Sequence, residues 1–298
     1  MTPRNILLAA LLVVTVAFVA FWVSHVRAAR RSGSGAGSGQ GSASPGLLHT
    51  AIGFVTNFFD TLGIGSFATT TSLYRLRKLV PDEKIPGTLN VGHTMATVVQ
   101  AIIFITIVEV EIQTLVLLIV AAVGGSWIGA AIVAGLPRQQ VQRGMGVALL
   151  VAAVLMVMTA LNQFPGGGEA LALTGGKLIL AIAINFALGA LMTLGIGAYA
   201  PIMIMVSLLG MNPTAAFPIM MGSCAFLMPT ASIQFIRKEK YDLKAAVGLA
   251  LGGMPAVVIA ALIVRSLPLA YVRWLVVIVV LYAAVTLLRA SSRRESTA

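Results

Sequence analysis

The sequence predicts an all-α polytopic membrane protein: two inverted repeats, each a glycine-broken re-entrant helix hairpin plus three transmembrane helices, with an extra amino-terminal transmembrane anchor. Three observations carry this. Of 298 residues, 58% are hydrophobic and only 10% charged, whereas soluble domains run near one quarter charged. The octapeptide Thr61-Leu-Gly-Ile-Gly-Ser-Phe-Ala68 returns as Thr193-Leu-Gly-Ile-Gly-Ala-Tyr-Ala200. Lysines and arginines gather in short clusters between apolar segments, as cytoplasmic loops require.

The same composition excludes other classes. A net charge of +11 in a soluble protein would suggest nucleic acid, but here it belongs to loops facing a membrane surface, so nucleic acid is not an expected partner. The single cysteine, Cys224, supports neither a disulfide framework nor a thiolate metal site. No catalytic serine motif, phosphate-binding loop or cluster of metal ligands is present in the sequence, so no cofactor and no metal are expected.

From the amino terminus, Ile6 to Val26 is one apolar stretch followed by Arg27, Arg30 and Arg31. Its length and these arginines favour an uncleaved anchor, residues 1–31, over a signal peptide. Residues 32–46 form a Gly/Ser linker without folding incentive, so the anchor is expected to be tethered loosely. Apolar segments then follow at about 47–79, 88–108, 112–136 and 141–162, forming repeat 1 over residues 47–162. After a connecting loop, 163–176, come 177–209, 214–236, 243–265 and 269–289, forming repeat 2 over residues 177–290. Residues 291–298 are read as a cytoplasmic tail. Gly92 aligns with Gly222, Gly124-Gly125 with Gly252-Gly253, Leu136-Pro137 with Leu267-Pro268 and Arg143 with Arg273.

The first segment of each repeat is too long for one crossing, since 33 helical residues extend about 50 Å against a hydrocarbon core of about 30 Å. Breaking each at Gly-Ile-Gly gives two arms of about 15 residues that dip to the midplane and return. Each half then has an odd number of crossings, and the halves are inverted. That arrangement places Arg27, Arg30, Arg31, Arg75, Arg77, Lys78, Lys84, Arg138, Arg143, Arg237, Lys238, Lys240, Lys244, Arg289, Arg293 and Arg294 on one side, 16 of the 20 basic residues. Two parallel halves would split them 9 to 11, with no bias toward the cytoplasm. The amino terminus is expected outside and the carboxyl terminus inside. Arg265 and Arg273 fall on the outer side.

Candidate functional residues follow from the breaks. The second arms begin at Ser66 and Ala198, so their positive dipole ends and unpaired N–H groups lie at membrane depth, where they attract anions. Gly63, Gly65, Gly195 and Gly197 either open the backbone to substrate and allow chain reversal or serve helix packing. Asn57, Thr61, Ser66, Thr69, Thr70 and Thr71, with Asn185 and Thr193, are polar groups able to bond an oxyanion or their own helices. Gly92, Gly222 and Ser223 place a small residue and a polar one at equivalent points of the next helices. Asp60 is the sole acid in the broken segments, and Asp60 and His93 are the candidates for proton coupling; Na⁺ ligation by Asp60 is the other chemical use and a structural hydrogen bond the bland one. Cys224 reads as a small buried filler. Gly125-Ser-Trp-Ile-Gly129 has the spacing of a close helix contact, and Glu109 and Glu111 read as solvated loop acids.

With its Gly-x-Gly octapeptide in the first segment of each half, Gly92 and Gly222 in the next, and Gly-Gly pairs in the third, the chain resembles the TauE/SafE sulfite exporter family over residues 47–290. The resemblance implies a permease of bacterial inner membranes for sulfite, sulfoacetate or other small organosulfonates. Ser66 and Ala198 follow the Gly-x-Gly where typical members continue a longer glycine run. The expected function is therefore a secondary transporter for a small anion, and the expected partners are that anion and the lipid bilayer. A permease for another oxyanion or a carboxylate is the neighbouring reading. A membrane-embedded enzyme using Asp60, His93 or Cys224 is the reading from another class, disfavoured because no nucleophile and base converge in the sequence.

Overall fold

The computed structural model describes residues 2–31, 46–163, 166–195, 197–263 and 269–292. Its helices are α1 (Pro3–Arg31), α2 (Leu47–Thr61), α3 (Ser66–Arg77), α4 (Ile85–Ile107), α5 (Ile112–Val133), α6 (Arg138–Ala160), α7 (Gly175–Met192), α8 (Tyr199–Leu208), α9 (Ala216–Arg237), α10 (Leu243–Ile263) and α11 (Leu269–Ser292). Among the described residues there are no strands, only an isolated bridge between Ala170 and Met211. Seven of the described helices are long and apolar enough to cross a membrane. Arg265, the side chain of Arg273, most of the linker and the end of the tail lie outside the described residues.

Both long segments are broken where the glycines stand. Gly63, Gly65 and Gly195 have φ of 85°, 89° and 100°, a region L side chains enter only at a cost of roughly 1–2 kcal/mol. That conformation ends α2 and α7 and turns the chain. The arms return: the His49 ring at the start of α2 meets the Tyr74 ring near the end of α3, centroids 5.7 Å apart. In the other half Lys177 Nζ, at the start of α7, donates to Leu209 O just after α8 at 2.9 Å. With 15 and 12 residues, α2 and α3 reach about 22 Å and 18 Å, short of a hydrocarbon core of about 30 Å.

Packing relates the halves by exchange. Helix α2 lies on α10 as α7 lies on α5, α4 lies on α10 as α9 lies on α5, and α4–α9 and α6–α11 pair across the middle. Small residues permit these contacts, because a Cβ at Gly53, Gly92, Gly125, Gly129, Gly189, Gly248, Gly252 or Gly253 would collide with the facing helix, and dispersion between close backbones holds helices together where lipid removes the hydrophobic drive. The Gly125–Gly129 spacing is thus a helix contact, against Phe186 and Ala190 of α7.

Contacts along each pair also give direction. Asp242 N donates to Thr88 Oγ1 at the start of both α4 and α10, and further along Gly253 meets Ala96, so these helices run parallel. Asn185 Nδ2 bonds Leu118 O and Gly129 meets Ala190 and Thr193, so α7 and α5 run parallel, as α2 and α10 do from His49–Gly248 to Asn57–Gly253. Helices α4 and α9 are antiparallel, with Gly87 against Phe235 at one end and Phe104 stacked on Phe217 at the other. Gln139 Nε2 donates to Ser291 O, so the start of α6 meets the end of α11.

Two expectations need correction. The amino-terminal helix is not held only by its linker: Phe18 and Trp22 are buried, Trp22 Nε1 donates to Tyr241 OH at 3.2 Å, and Arg4 Nη1 reaches Thr106 O at 3.3 Å. A large aromatic surface facing α9 and the 241 loop is what docks it. Glu111 is not merely solvated, because its carboxylate accepts from Gln113 N at 3.0 Å and Thr114 N at 2.6 Å and so caps α5, satisfying amides that the helix start leaves open.

Candidate functional site

Between the two hairpin tips lies a cavity lined by Asp60, Gly65, Ser66, Phe67, Thr97, Gln100, Met192, Gly197, Ala198, Met220, Met221 and Cys224. It is small and partly open, about 350 Å³ with the space at its mouth counted in. Tip 1 supplies Gly65 and Ser66, tip 2 supplies Gly197 and Ala198, and α4 and α9 supply the side walls. The α4 lining residues, Thr97 and Gln100, sit toward its Ile107 end, and those of α9 toward its Ala216 end. The cavity therefore lies on the Phe104–Phe217 side of the tips.

The tips differ in charge. Ser66 N, the first amide of α3, donates to Asp60 Oδ1 at 2.8 Å, so the helix end expected to be open is already met by a carboxylate from its own hairpin. Gln100 Nε2 donates to Asp60 Oδ2 at 3.1 Å and to Thr61 Oγ1 at 3.0 Å. At the equivalent point of the second half stands Met192, an apolar residue, and among the described residues no side-chain hydrogen bond reaches the start of α8. The cavity thus has an acidic wall at Asp60 and a bare positive helix end at Ala198.

The other expected residues are placed as follows. Gly63 and Gly195 form the turns, and a Cβ at Gly65 or Gly197 would meet nothing within 4 Å, so these two are not helix-packing glycines. Gly92 and Gly222 do not line the cavity: Gly92 lies against Leu249 and Ala246, and Gly222 against Ile119 and Ile105. Asn57 Oδ1 is 3.0 Å from His93 Nδ1, and Thr70 Oγ1 is 3.0 Å from His93 Nε2. Asn57 Nδ2 donates to Gly53 O, which leaves its Oδ1 to accept, so Nδ1 of His93 carries the proton and Nε2 accepts from Thr70. Both ring nitrogens are used within a fully buried knot joining α2, α3 and α4. Asn185 spends its amide on Leu118 O and on Ser223 Oγ at 3.1 Å. Thr61, Thr69 and Thr193 donate to carbonyls of their own helices, the local bonding open to any helical hydroxyl.

Phe67, Thr97, Gln100, Met192, Met220 and Met221 line the cavity without having been singled out. Gln100 offered a signal, a polar side chain in mid-segment where lipid would not tolerate it. The methionines offered none, because methionine fills cores equally well. Among the described residues no group of three or more His, Cys, Asp or Glu could hold a metal ion. Cys224 contacts Met192, sulfur to sulfur, at 3.5 Å.

A multi-pass helical membrane protein with hairpin tips meeting at a small, mostly apolar cavity that holds one acid belongs to the class of permeases. The chain is a member of the sulfite exporter TauE/SafE family, whose model matches residues 1–156. That match takes in α1, which the resemblance over residues 47–290 had left aside. No curated protein and no solved structure matches the chain. Membership makes it a membrane transporter.

Proposed function

We propose that the chain is a secondary permease for a small sulfur-containing anion, sulfite or an organosulfonate, in a bacterial inner membrane. It works by alternating access between inverted repeats, with Asp60 as the proton-coupling group. The opposed directions of equivalent helices support the inversion. The carrying observation is the uncapped start of α8 facing Asp60 across the cavity. Backbone N–H groups and the helix dipole at Ala198 attract the anion, and Ser66 and Thr97 supply hydroxyls. An anion beside an ionised Asp60 is repelled, so protonating Asp60 and binding the anion favour each other. His93, locked between Asn57 and Thr70, has no such exposure to the cavity and acts in holding hairpin 1 to α4.

The cavity's lining on α4 and α9 lies toward the Phe104–Phe217 ends, away from the basic loops, the side that the positive-inside rule makes external. Rocking of one half against the other would transfer the site to the opposite side. A permease for another oxyanion or a carboxylate would use the same helix end. Uptake of sulfite, ethanesulfonate and acetate into proteoliposomes, with and without an imposed pH difference, tests both. Saturable sulfonate or sulfite flux driven by the pH difference supports the proposal; saturable flux of acetate alone replaces its substrate, and no flux of any overturns it.

A further inference from the structure

The one oxygen of the cavity's amide side chain is unused. Gln100 is fully buried, spends Nε2 on Asp60 and Thr61, and leaves Oε1 without a partner, while the open space beside this side chain is the cavity. In this orientation the amide suits an ionised Asp60, which can only accept, and it leaves a bare acceptor on a side chain that lines the cavity.

We propose that Gln100 is an anion ligand switched by Asp60, its amide turning over when Asp60 takes up a proton; this rests on the permease reading above. Half a turn about Cγ–Cδ exchanges Oε1 and Nε2. Oε1 then stands about 3.1 Å from Asp60 Oδ2, a position satisfied when that carboxyl oxygen carries a proton and donates it, and Thr61, now donating to Asn57 O, lies beside the same atom. The freed NH₂ group turns to the place Oε1 held and offers its hydrogens to the anion. One proton on Asp60 thereby removes a negative charge from the wall and replaces an acceptor by a donor. Both changes favour the anion, so each bound anion is linked to one proton. The site accordingly favours compact oxyanions whose oxygens accept from Gln100, Ser66 and the α8 amides at once.

Binding of ethanesulfonate, which does not itself titrate near neutrality, to the purified full-length protein separates this from a merely structural amide. The wild type is expected to bind about tenfold more tightly at about pH 5 than at about pH 8. Gln100→Leu is expected to lower that ratio from about ten toward one by weakening binding at the acid end. Asp60→Asn should bind at about pH 8 as the wild type does at about pH 5, and adding Gln100→Leu to it should cost about tenfold at both values, which keeps the test valid should the single variant be poorly folded. Equal weakening by Gln100→Leu at both pH values, or no cost in the Asp60→Asn background, overturns the switch. Tight but pH-independent wild-type binding overturns the switch alone. No ethanesulfonate binding at any pH, with sulfite also failing to bind, overturns the switch and the permease reading together.

Discussion

Arg75, at the end of α3, is ion-paired with the buried Asp82 before α4, and its counterpart in the second hairpin, Ser207, is a buried hydroxyl without a partner. The pair ties one end of the molecule shut. Gln142 Nε2 donates to the same carboxylate at 2.6 Å, Arg138 Nη2 lies 3.7 Å from it, and Arg75 Nη2 reaches Thr286 O at 3.2 Å. The carboxylate joins hairpin 1, the start of α4 and α6, and Arg75 carries the link on to α11, while at the opposite end Lys177 Nζ donates to a carbonyl, Leu209 O.

Arg75→Ala should therefore destabilise the protein, because removing one partner leaves a buried charge short of its compensation, a loss of roughly 3–5 kcal/mol for a fully buried pair. Arg138 and Gln142 remain, so about 1–3 kcal/mol is expected here. Thermal unfolding in detergent measures it. Asp82→Asn in the Arg75→Ala background should recover part of the loss, and a double variant no more stable than Arg75→Ala would assign the effect to the Arg75–Thr286 contact.

Gly195→Ala and Gly197→Ala should part company. Gly195 lies at φ 100°, so alanine there is strained by roughly 1–2 kcal/mol, read as a lower unfolding midpoint. A Cβ at Gly197 meets nothing within 4 Å and projects beside the cavity, so Gly197→Ala should keep stability within about 0.5 kcal/mol while weakening sulfonate binding. Normal binding by Gly197→Ala would place the anion away from tip 2.

How far the sequence foretells this arrangement depends on what kind of information a feature leaves. Helix breaks at Gly63–Gly65 and Gly195–Gly197 were legible because positive φ selects glycine and the repeat displays it twice. That the basic loops before α4 and after α9 meet at one end, with Gly87 against Lys240 O, was legible because charged residues are confined to the ends of apolar segments. The walls of the cavity were not. Gly92 and Gly222 look alike as substrate glycines and as packing glycines, and only the facing Leu249 and Ile119 decide between the two. Asp60 was evident as an intramembrane acid, yet its bond to Ser66 N depends on how tightly the turn closes, which is set by backbone dihedrals that no composition records. The docking of α1 through Trp22 and Tyr241 joins residues 219 positions apart, beyond the reach of any local pattern.

For topology, cysteines at the exposed positions Arg77 and Glu239 should react with an impermeant thiol reagent from the same side of the membrane, and one at Glu109 from the other. Asp82 is unsuitable for this purpose, being buried in its ion pairs. The pattern follows from α3 ending, and α9 ending, where the basic loops gather. Labelling of Arg77→Cys and Glu239→Cys from opposite sides would remove both the inversion and the re-entrant hairpin.

The proposed coupling rests on Asp60, the one acid among the described residues that line the cavity. Ionised, it accepts from Ser66 N and Gln100 Nε2 and opposes an anion in the same space; protonated, it does not, so on the proposed mechanism a pH difference across the membrane would be converted into a difference in anion occupancy on the two sides. Asp60→Asn retains the size and the acceptor oxygen for Ser66 N but holds no titratable proton. The variant should exchange labelled sulfonate between the two faces of proteoliposomes at a rate within about tenfold of the wild type, and an imposed pH difference should no longer drive net accumulation. Stability should fall by no more than about 1–2 kcal/mol, since a neutral acceptor replaces a charge-assisted one at the Ser66 amide. Accumulation equal to that of the wild type would make Asp60 a cap for α3 and nothing more, leaving the permease without a proton-binding group in its cavity.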